Sequence, residues 1–162
     1  MNNPSLLDAI RVVKENERVA SASYADAAKR ISNPIGRKLF EQLSEFELFH
    51  YEKISALEKS LEETGEYIEY EGREFPLPPL FESPAAAEPS KKSVMSIISG
   101  AMELEKVSEK AYGELASQTV DPRGHEMFDR LSEEEHQHYR LLLDTYWTLN
   151  NLGIWKWVRP GK

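Results

Sequence analysis

The chain has 162 residues, 40% hydrophobic and 30% charged, with a formal net charge of −8, a composition that fits one globular domain with a sizeable core. The acidic balance argues against nucleic acid or an anionic membrane as a partner, since both are bound through basic surfaces. The absence of cysteine excludes disulfides, thiolate metal sites, a catalytic thiol and a built-in iron–sulfur carrier, so any bound metal must be held by nitrogen and oxygen.

Residues 1–7 carry no basic stretch followed by an apolar run, and no window approaches the roughly 18 consecutive apolar residues of a membrane span. A cytoplasmic location is the expectation. The first helix is expected to begin near Pro4, with Asn3 as its cap, and to run to about Ile31. Its apolar face reads Ile10, Val13, Glu17, Ala20, Tyr24, Ala27, Ile31, alternating steps of three and four that keep one side of a helix together. Asn33-Pro34 then restarts a helix after a very short connection, because Asn caps and Pro suits the first helical position. A short connection makes the two helices antiparallel neighbours. The second face reads Phe40, Leu43, Glu47, His50, Ile54, Leu57, Leu61.

Residues 62–90 hold Pro76, Pro78, Pro79, Pro84 and Pro89 and cannot be a helix. Extended at up to roughly 3.3 Å per residue, such a linker is long enough for a crossover, so the second and third helices can run parallel. Tyr67 to Phe75, with Glu71-Gly72 at its centre, is expected to form a small hairpin.

The second half repeats the first at an offset of 88 residues, Glu47 recurring as Glu135. Its third face reads Ile98, Ala101, Glu105, Ser108, Tyr112, Leu115, Thr119, its restart is Asp121-Pro122, and its fourth face reads Phe128, Leu131, Glu135, His138, Leu142, Thr145, Leu149. The two hairpins are expected over about 4–63 and 92–152, with Asn150 to Gly153 as the final stop. The residues after it, 153–162, form an aromatic tail with Trp155 and Trp157, read as a cover for the open end of the bundle or as a subunit contact.

Each face holds one Glu, and two also hold a His. Counted along the helices, the four Glu lie at one depth, about 21 Å from the short turns at about 1.5 Å per residue. An isolated buried carboxylate is costly by several kcal/mol, so four in one core need positive charge. Lys and Arg are absent from all four faces. Two divalent cations would bring four charges against four carboxylates, with two neutral imidazoles completing the ligand set. Of the other histidines, His136 points away from His138 and His125 lies one turn into the last helix, so both are expected to be exposed, as are Glu45, Glu62, Glu63, Glu133 and Glu134.

The pattern Glu, Glu-x-x-His, Glu, Glu-x-x-His over two helical hairpins with a long crossover resembles the ferritin-like di-iron carboxylate proteins, and among them the rubrerythrin family. The resemblance rests on Glu17-x-x-Ala20-x-x-x-Tyr24, Phe40-x-x-Leu43-Ser44-x-x-Glu47-x-x-His50, Glu105-x-x-Ser108-x-x-x-Tyr112 and Phe128-x-x-Leu131-Ser132-x-x-Glu135-x-x-His138, and covers about residues 5–150. It implies an all-α, ferritin-like four-helix bundle holding two iron ions, with manganese or zinc as possible substitutes. By resemblance, Glu17 and Glu105 would each hold one ion, Glu47 and Glu135 would bridge the pair, His50 and His138 would each add a nitrogen, and Tyr24 and Tyr112 would support the ligands by hydrogen bonding. It further implies an oxidoreductase of the peroxidase or ferroxidase type, acting on hydrogen peroxide or dioxygen with electrons from an external donor protein, as a homodimer or higher homo-oligomer. Two departures stand out. The third helix of rubrerythrins usually reads Glu-x-x-Glu, where this chain has Ser108, which makes the ligand set more symmetric, like that of bacterioferritin; and the rubredoxin domain is absent. Two alternatives share the ligand pattern: an iron-oxidising storage protein, which needs a closed shell of subunits, and a di-iron hydroxylase of an organic substrate, which needs an apolar channel to the metals.

Overall fold

The computed structural model describes residues 4–73 and 84–157. Four long helices account for most of them: α1 (Pro4–Arg30), α2 (Pro34–Glu63), α3 (Lys91–Gln118) and α4 (Pro122–Leu152). Two short strands, β1 (Ala86–Ala87) and β2 (Ile154–Trp155), pair antiparallel with Ala86 opposite Trp155 and Ala87 opposite Ile154. The chain is an all-α, ferritin-like four-helix bundle, with α1 packed on α2 and α3 on α4.

The helix starts follow from their caps. Asn33 Oδ1 accepts from the backbone N–H of Ile35 at 2.9 Å, and Asp121 Oδ1 from that of Arg123 at 2.9 Å, each with a proline in the first turn. Helix α4 stops at Gly153, whose N–H donates to the Leu149 carbonyl at 3.0 Å. Asn3, expected to cap α1, lies outside the described residues.

Every residue of the four apolar faces is buried. The apolar side chains form two clusters, one containing Tyr24, Phe40, Leu43, Ile98, Leu142 and Leu149, the other Ile10, Ile54, Leu57, Tyr112, Phe128 and Leu131. Each fully buried Leu, Ile or Phe stabilises the fold by about 1.5–3 kcal/mol. Along each helix the Glu and His positions fall between these clusters, so the core is interrupted at mid-height by a polar layer.

Aromatic side chains cover the helix starts at both ends of the bundle. At one end Trp155 is fully buried and donates from Nε1 to Glu88 Oε1 at 3.0 Å, while Trp157 donates to Thr145 Oγ1 at 2.5 Å. The ring of Trp155 lies so close over Gly36 that a Cβ there would meet it at 2.5 Å. The tail therefore covers the bundle end and leaves neither indole for a subunit contact. Tyr67 covers Gly124, the repeat partner of Gly36, at the other end.

The expected hairpin over Tyr67–Phe75 does not form within the described residues. Residues 66–73 have no strand partner and lie against the bundle through Tyr67, Ile68 and Tyr70. Burying three large side chains on the helices outweighs the few hydrogen bonds that an isolated two-stranded hairpin offers. Residues 74 and 75 lie outside the described residues.

Candidate metal centre

Helix α1 supplies Glu17, α2 supplies Glu47 and His50, α3 supplies Glu105, and α4 supplies Glu135 and His138, all at most 1% exposed. They form two groups whose ligand atoms lie within 4.8 Å of one another: Glu17, Glu47, His50 and Glu135 in one, and Glu47, Glu105, Glu135 and His138 in the other. Glu47 and Glu135 belong to both. Each group offers three carboxylates and one imidazole, related by the internal repeat, and in both histidines the nitrogen facing the carboxylates is Nδ1. His50 Nδ1 lies 2.8 Å from Glu17 Oε2 and 2.7 Å from Glu135 Oε1, and His138 Nδ1 lies 3.0 Å from Glu47 Oε1 and 3.6 Å from Glu105 Oε2.

Close approach here is not the same as pairing. Both oxygens of Glu17 and of Glu135, Glu47 Oε2, Glu105 Oε2 and His50 Nδ1 are buried without an aligned hydrogen-bond partner. Each such atom costs about 1–3 kcal/mol if nothing meets it. These donor atoms converge on a common space, and carboxylate oxygens with imidazole nitrogens suit a divalent first-row ion. The residues present therefore fit a pair of such ions.

Protonation reflects the same crowding. Burial, and then the charge of Glu47, push the Glu17 carboxyl well above its ordinary range. Burial and the charges of Glu105, Glu17 and Glu47 do the same to Glu135. Burial also opposes ionisation of Glu47, but hydrogen bonding to His138 and attraction to His50 outweigh it and hold that carboxyl low. Desolvation disfavours the imidazolium of His50, yet Glu17 and the other carboxylates raise its pKa well above the usual value. His138 is likewise carried up to about 9, against desolvation, first by Glu105. In the metal-free chain, protons supply part of the positive charge that the carboxylates require.

Around this layer, the Tyr24 hydroxyl donates to Glu105 Oε1 at 2.9 Å. Its repeat partner Tyr112 is fully buried, but its hydroxyl has no hydrogen-bond partner among the described residues. Ser108 is buried and belongs to neither group. His125 and His136 are exposed, as are Glu45, Glu62, Glu63 and Glu133.

Glu134 corrects the sequence reading. Expected on a solvated face, it is 2% exposed. Its Oε1 lies 2.9 Å from His50 Nε2 and accepts from the Tyr70 hydroxyl at 2.5 Å, and its Oε2 accepts from the Arg73 backbone N–H at 2.9 Å and from Arg130 Nε at 3.2 Å. Four partners compensate its desolvation. A signal for this was present in the repeat, since Glu134 stands 88 residues after the core aromatic Phe46. Tyr70 was missed because nothing in the linker's local pattern placed it against α4.

Fold and site together define a class: ferritin-like four-helix bundles with two carboxylate and histidine groups at mid-height, each able to hold a metal ion. The rubrerythrin family model matches residues 15–146, and the chain belongs to the rubrerythrin family, a ferritin-like di-iron family. Its fold is similar to that of a hypothetical protein from Pyrococcus furiosus, with a TM-score of 0.72 and 20% identity over 94% of this chain and 93% of that one. No curated protein sequence matches the chain significantly. None of the described helices is long and apolar enough to cross a membrane.

Proposed function

We propose that this chain is a di-iron oxidoreductase that reduces hydrogen peroxide or dioxygen with electrons from an external donor. The observation that carries the reading is the pair of ligand groups sharing Glu47 and Glu135 around buried carboxylate oxygens, both of Glu17 and both of Glu135 among them, that have no aligned hydrogen-bond partner among the described residues. Glu17 and His50 would hold one ion, Glu105 and His138 the other, and Glu47 and Glu135 both. What the bound pair would supply is two electrons, one per ferrous ion, enough with two protons to reduce hydrogen peroxide to two waters.

The chain's own residues set the conditions for this. The apolar clusters above and below the polar layer exclude bulk water, which strengthens every charge interaction inside it. Tyr24 orients Glu105 through its hydroxyl. Binding of the ions would require His50, His138, Glu17 and Glu135 to give up the protons that they hold in the metal-free chain. A cleft of about 270 Å³ between α1 and α3 has Tyr24 in its lining, together with Ser23, Ala27, Arg30, Phe40, Ser96 and Ala101. These 162 residues contain no cysteine and so no thiolate-held electron relay of their own, which is why the reading includes an external donor.

The test is anaerobic reconstitution with ferrous iron, elemental analysis, and single-turnover spectra on adding peroxide. Two irons per chain, one turnover without donor and sustained turnover with a reductant are expected. An iron content near zero would overturn the assignment.

A further inference from the structure

Glu134 and Phe46 occupy equivalent places in the repeat, each one residue before a carboxylate shared by the two ligand groups. Phe46 stands nearly perpendicular to both imidazoles, with centroids 5.0 Å from His50 and 4.4 Å from His138. Glu134 crosses to His50 alone and meets its Nε2 at 2.9 Å, on the side of the ring away from the ligand pocket. The two halves, alike in their ligands, differ at this position.

The crossover is fitted to Glu134. Tyr70 and the backbone N–H of Arg73 both donate to it. Between them, Gly72 takes a φ of 78°, and a Cβ there would stand 2.6 Å from Glu134 Oε2 and 2.7 Å from Arg130 Nε. Only glycine accepts both that backbone conformation and that approach. The Arg73 guanidinium extends the contact over the rings of Phe46 and Phe49, at 5.6 and 5.5 Å from their centroids.

The partners determine which proton goes where. The Tyr70 hydroxyl, the Arg73 N–H and the Arg130 guanidinium are all placed to donate, so Glu134 is held as an ionised acceptor. An ionised carboxylate can only accept, and His50 must then carry its proton on Nε2. Once Nδ1 yields its own proton to a metal ion, its lone pair faces Glu17 and Glu135 while Nε2–H stays on Glu134, the tautomer a metal ligand needs.

We infer that Glu134, held in place by the strap Tyr70–Arg73, is a positioning residue for His50, and that it ties one of the two metal positions, the one formed by Glu17 and His50, to the conformation of the crossover. This inference rests on the two-metal reading above. Glu134 does not touch an ion. It acts by orienting the imidazole and raising the basicity of Nδ1, and its removal acts on the Glu17–His50 position before the Glu105–His138 position.

The test is zinc titration of the full ¹⁵N-labelled chain, followed by long-range ¹H–¹⁵N correlation of the imidazole nitrogens, so that His50 and His138 report separately on the two positions. In the wild type His50 is expected to carry its proton on Nε2 with Nδ1 shifting on zinc addition. Glu134→Gln is expected to raise the zinc concentration that half-saturates His50 by about 10- to 100-fold, to abolish the low-field Nε2–H signal, and to change His138 much less. Tyr70→Phe removes one donor from a partly buried hydroxyl with little risk to the fold, and is expected to shift His50 in the same direction by a smaller factor. If His50 keeps its tautomer and its zinc response in both variants, or in Tyr70→Phe alone should Glu134→Gln not fold, the inference is overturned while the two-metal reading stands. If neither histidine of the wild type responds to zinc, the two-metal reading itself fails and this inference goes with it.

Discussion

The Tyr24 hydroxyl donates to Glu105 Oε1 at 2.9 Å, whereas Tyr112, its counterpart 88 residues on, brings an equally buried hydroxyl to no acceptor. The two tyrosines are therefore not equivalent in the metal-free chain. Tyr24→Phe deletes a hydrogen bond to a carboxylate, an interaction of about 1.5–3 kcal/mol, while Tyr112→Phe deletes an unpaired buried group. In chelator-treated protein the first substitution should lower the unfolding midpoint and the second should leave it unchanged or raise it. Equal losses from both in denaturant titrations would show that the asymmetry does not exist in solution.

The pH dependence of the metal-free chain follows from the raised groups. His138 has a pKa of about 9 in the folded chain against an ordinary 6.5. Its contribution, on the order of 3 kcal/mol at about 1.4 kcal/mol per unit, is present in full below pH 6.5 and is lost as the pH rises through 9. His50 is raised as well. Glu17 and Glu135, raised by burial, lose stability in the same direction, since above their ordinary range the unfolded chain releases those protons more readily than the folded one. Metal-free protein should thus melt at a lower temperature at pH 9 than at pH 6.5. Zinc affinity should rise over the same interval, because fewer protons compete for the ligands. Calorimetry at the two pH values checks both, and a metal-free chain equally stable at each would contradict the charge pattern.

Much of this architecture is legible in the residues because local chemistry and global fold agree. Asn33-Pro34 and Asp121-Pro122 mark the helix starts with side-chain caps that the structure shows in place, and the stepwise apolar faces place Glu17, Glu47, His50, Glu105, Glu135 and His138 in one layer. Glu134 was not legible from local pattern, because an acidic residue beside two other acids reads as solvated unless a distant segment covers it. That segment, Tyr70 to Arg73, carries no periodicity of its own, and its position depends on contacts with α4 that only the folded chain creates. The tail is an intermediate case: two indoles signal burial, but the choice between bundle end and subunit contact required the Trp155–Glu88 and Trp157–Thr145 bonds.

The closure of the bundle end can be probed through Gly36. A methyl group there would meet the Trp155 ring at 2.5 Å, so Gly36→Ala must displace the indole from a site where it is fully buried. Trp155→Ala removes the indole outright and should cost about 3–5 kcal/mol. The double variant should cost clearly less than the sum of the two single losses, since once the indole is gone the added methyl has only the end of the Ile31 side chain, at 3.0 Å, to displace. Simple additivity in urea titrations would mean that the tail does not pack on Gly36.

The last prediction concerns what the polar layer does to stability. Glu47 and His50 sit in a helical face whose other members, Phe40, Leu43, Ile54, Leu57 and Leu61, are fully or almost fully buried. Replacing a buried charged pair by apolar residues of similar size is often neutral or stabilising by about 1–4 kcal/mol, provided no partner is left unpaired. Here the partners bear the change well. Without His50, Glu134 keeps Tyr70, the Arg73 N–H and Arg130, and without Glu47, Glu17 loses a charge that disfavours its own ionisation. The opposing effects are at His138, whose hydrogen bond to Glu47 at 3.0 Å is removed, and at Glu17 and Glu135, which lose the His50 imidazole 2.8 and 2.7 Å away. On balance Glu47→Leu with His50→Leu should raise the midpoint of the chelator-treated chain while abolishing the rise that ferrous iron produces in the wild type, since each ligand set that binds only the folded state stabilises it by mass action. Thermal unfolding of both proteins, with chelator and with ferrous iron at neutral pH, separates the two effects. A wild-type midpoint indifferent to chelator, together with a destabilised leucine variant, would identify Glu47 and His50 as ordinary satisfied core residues and remove the basis for a metal centre.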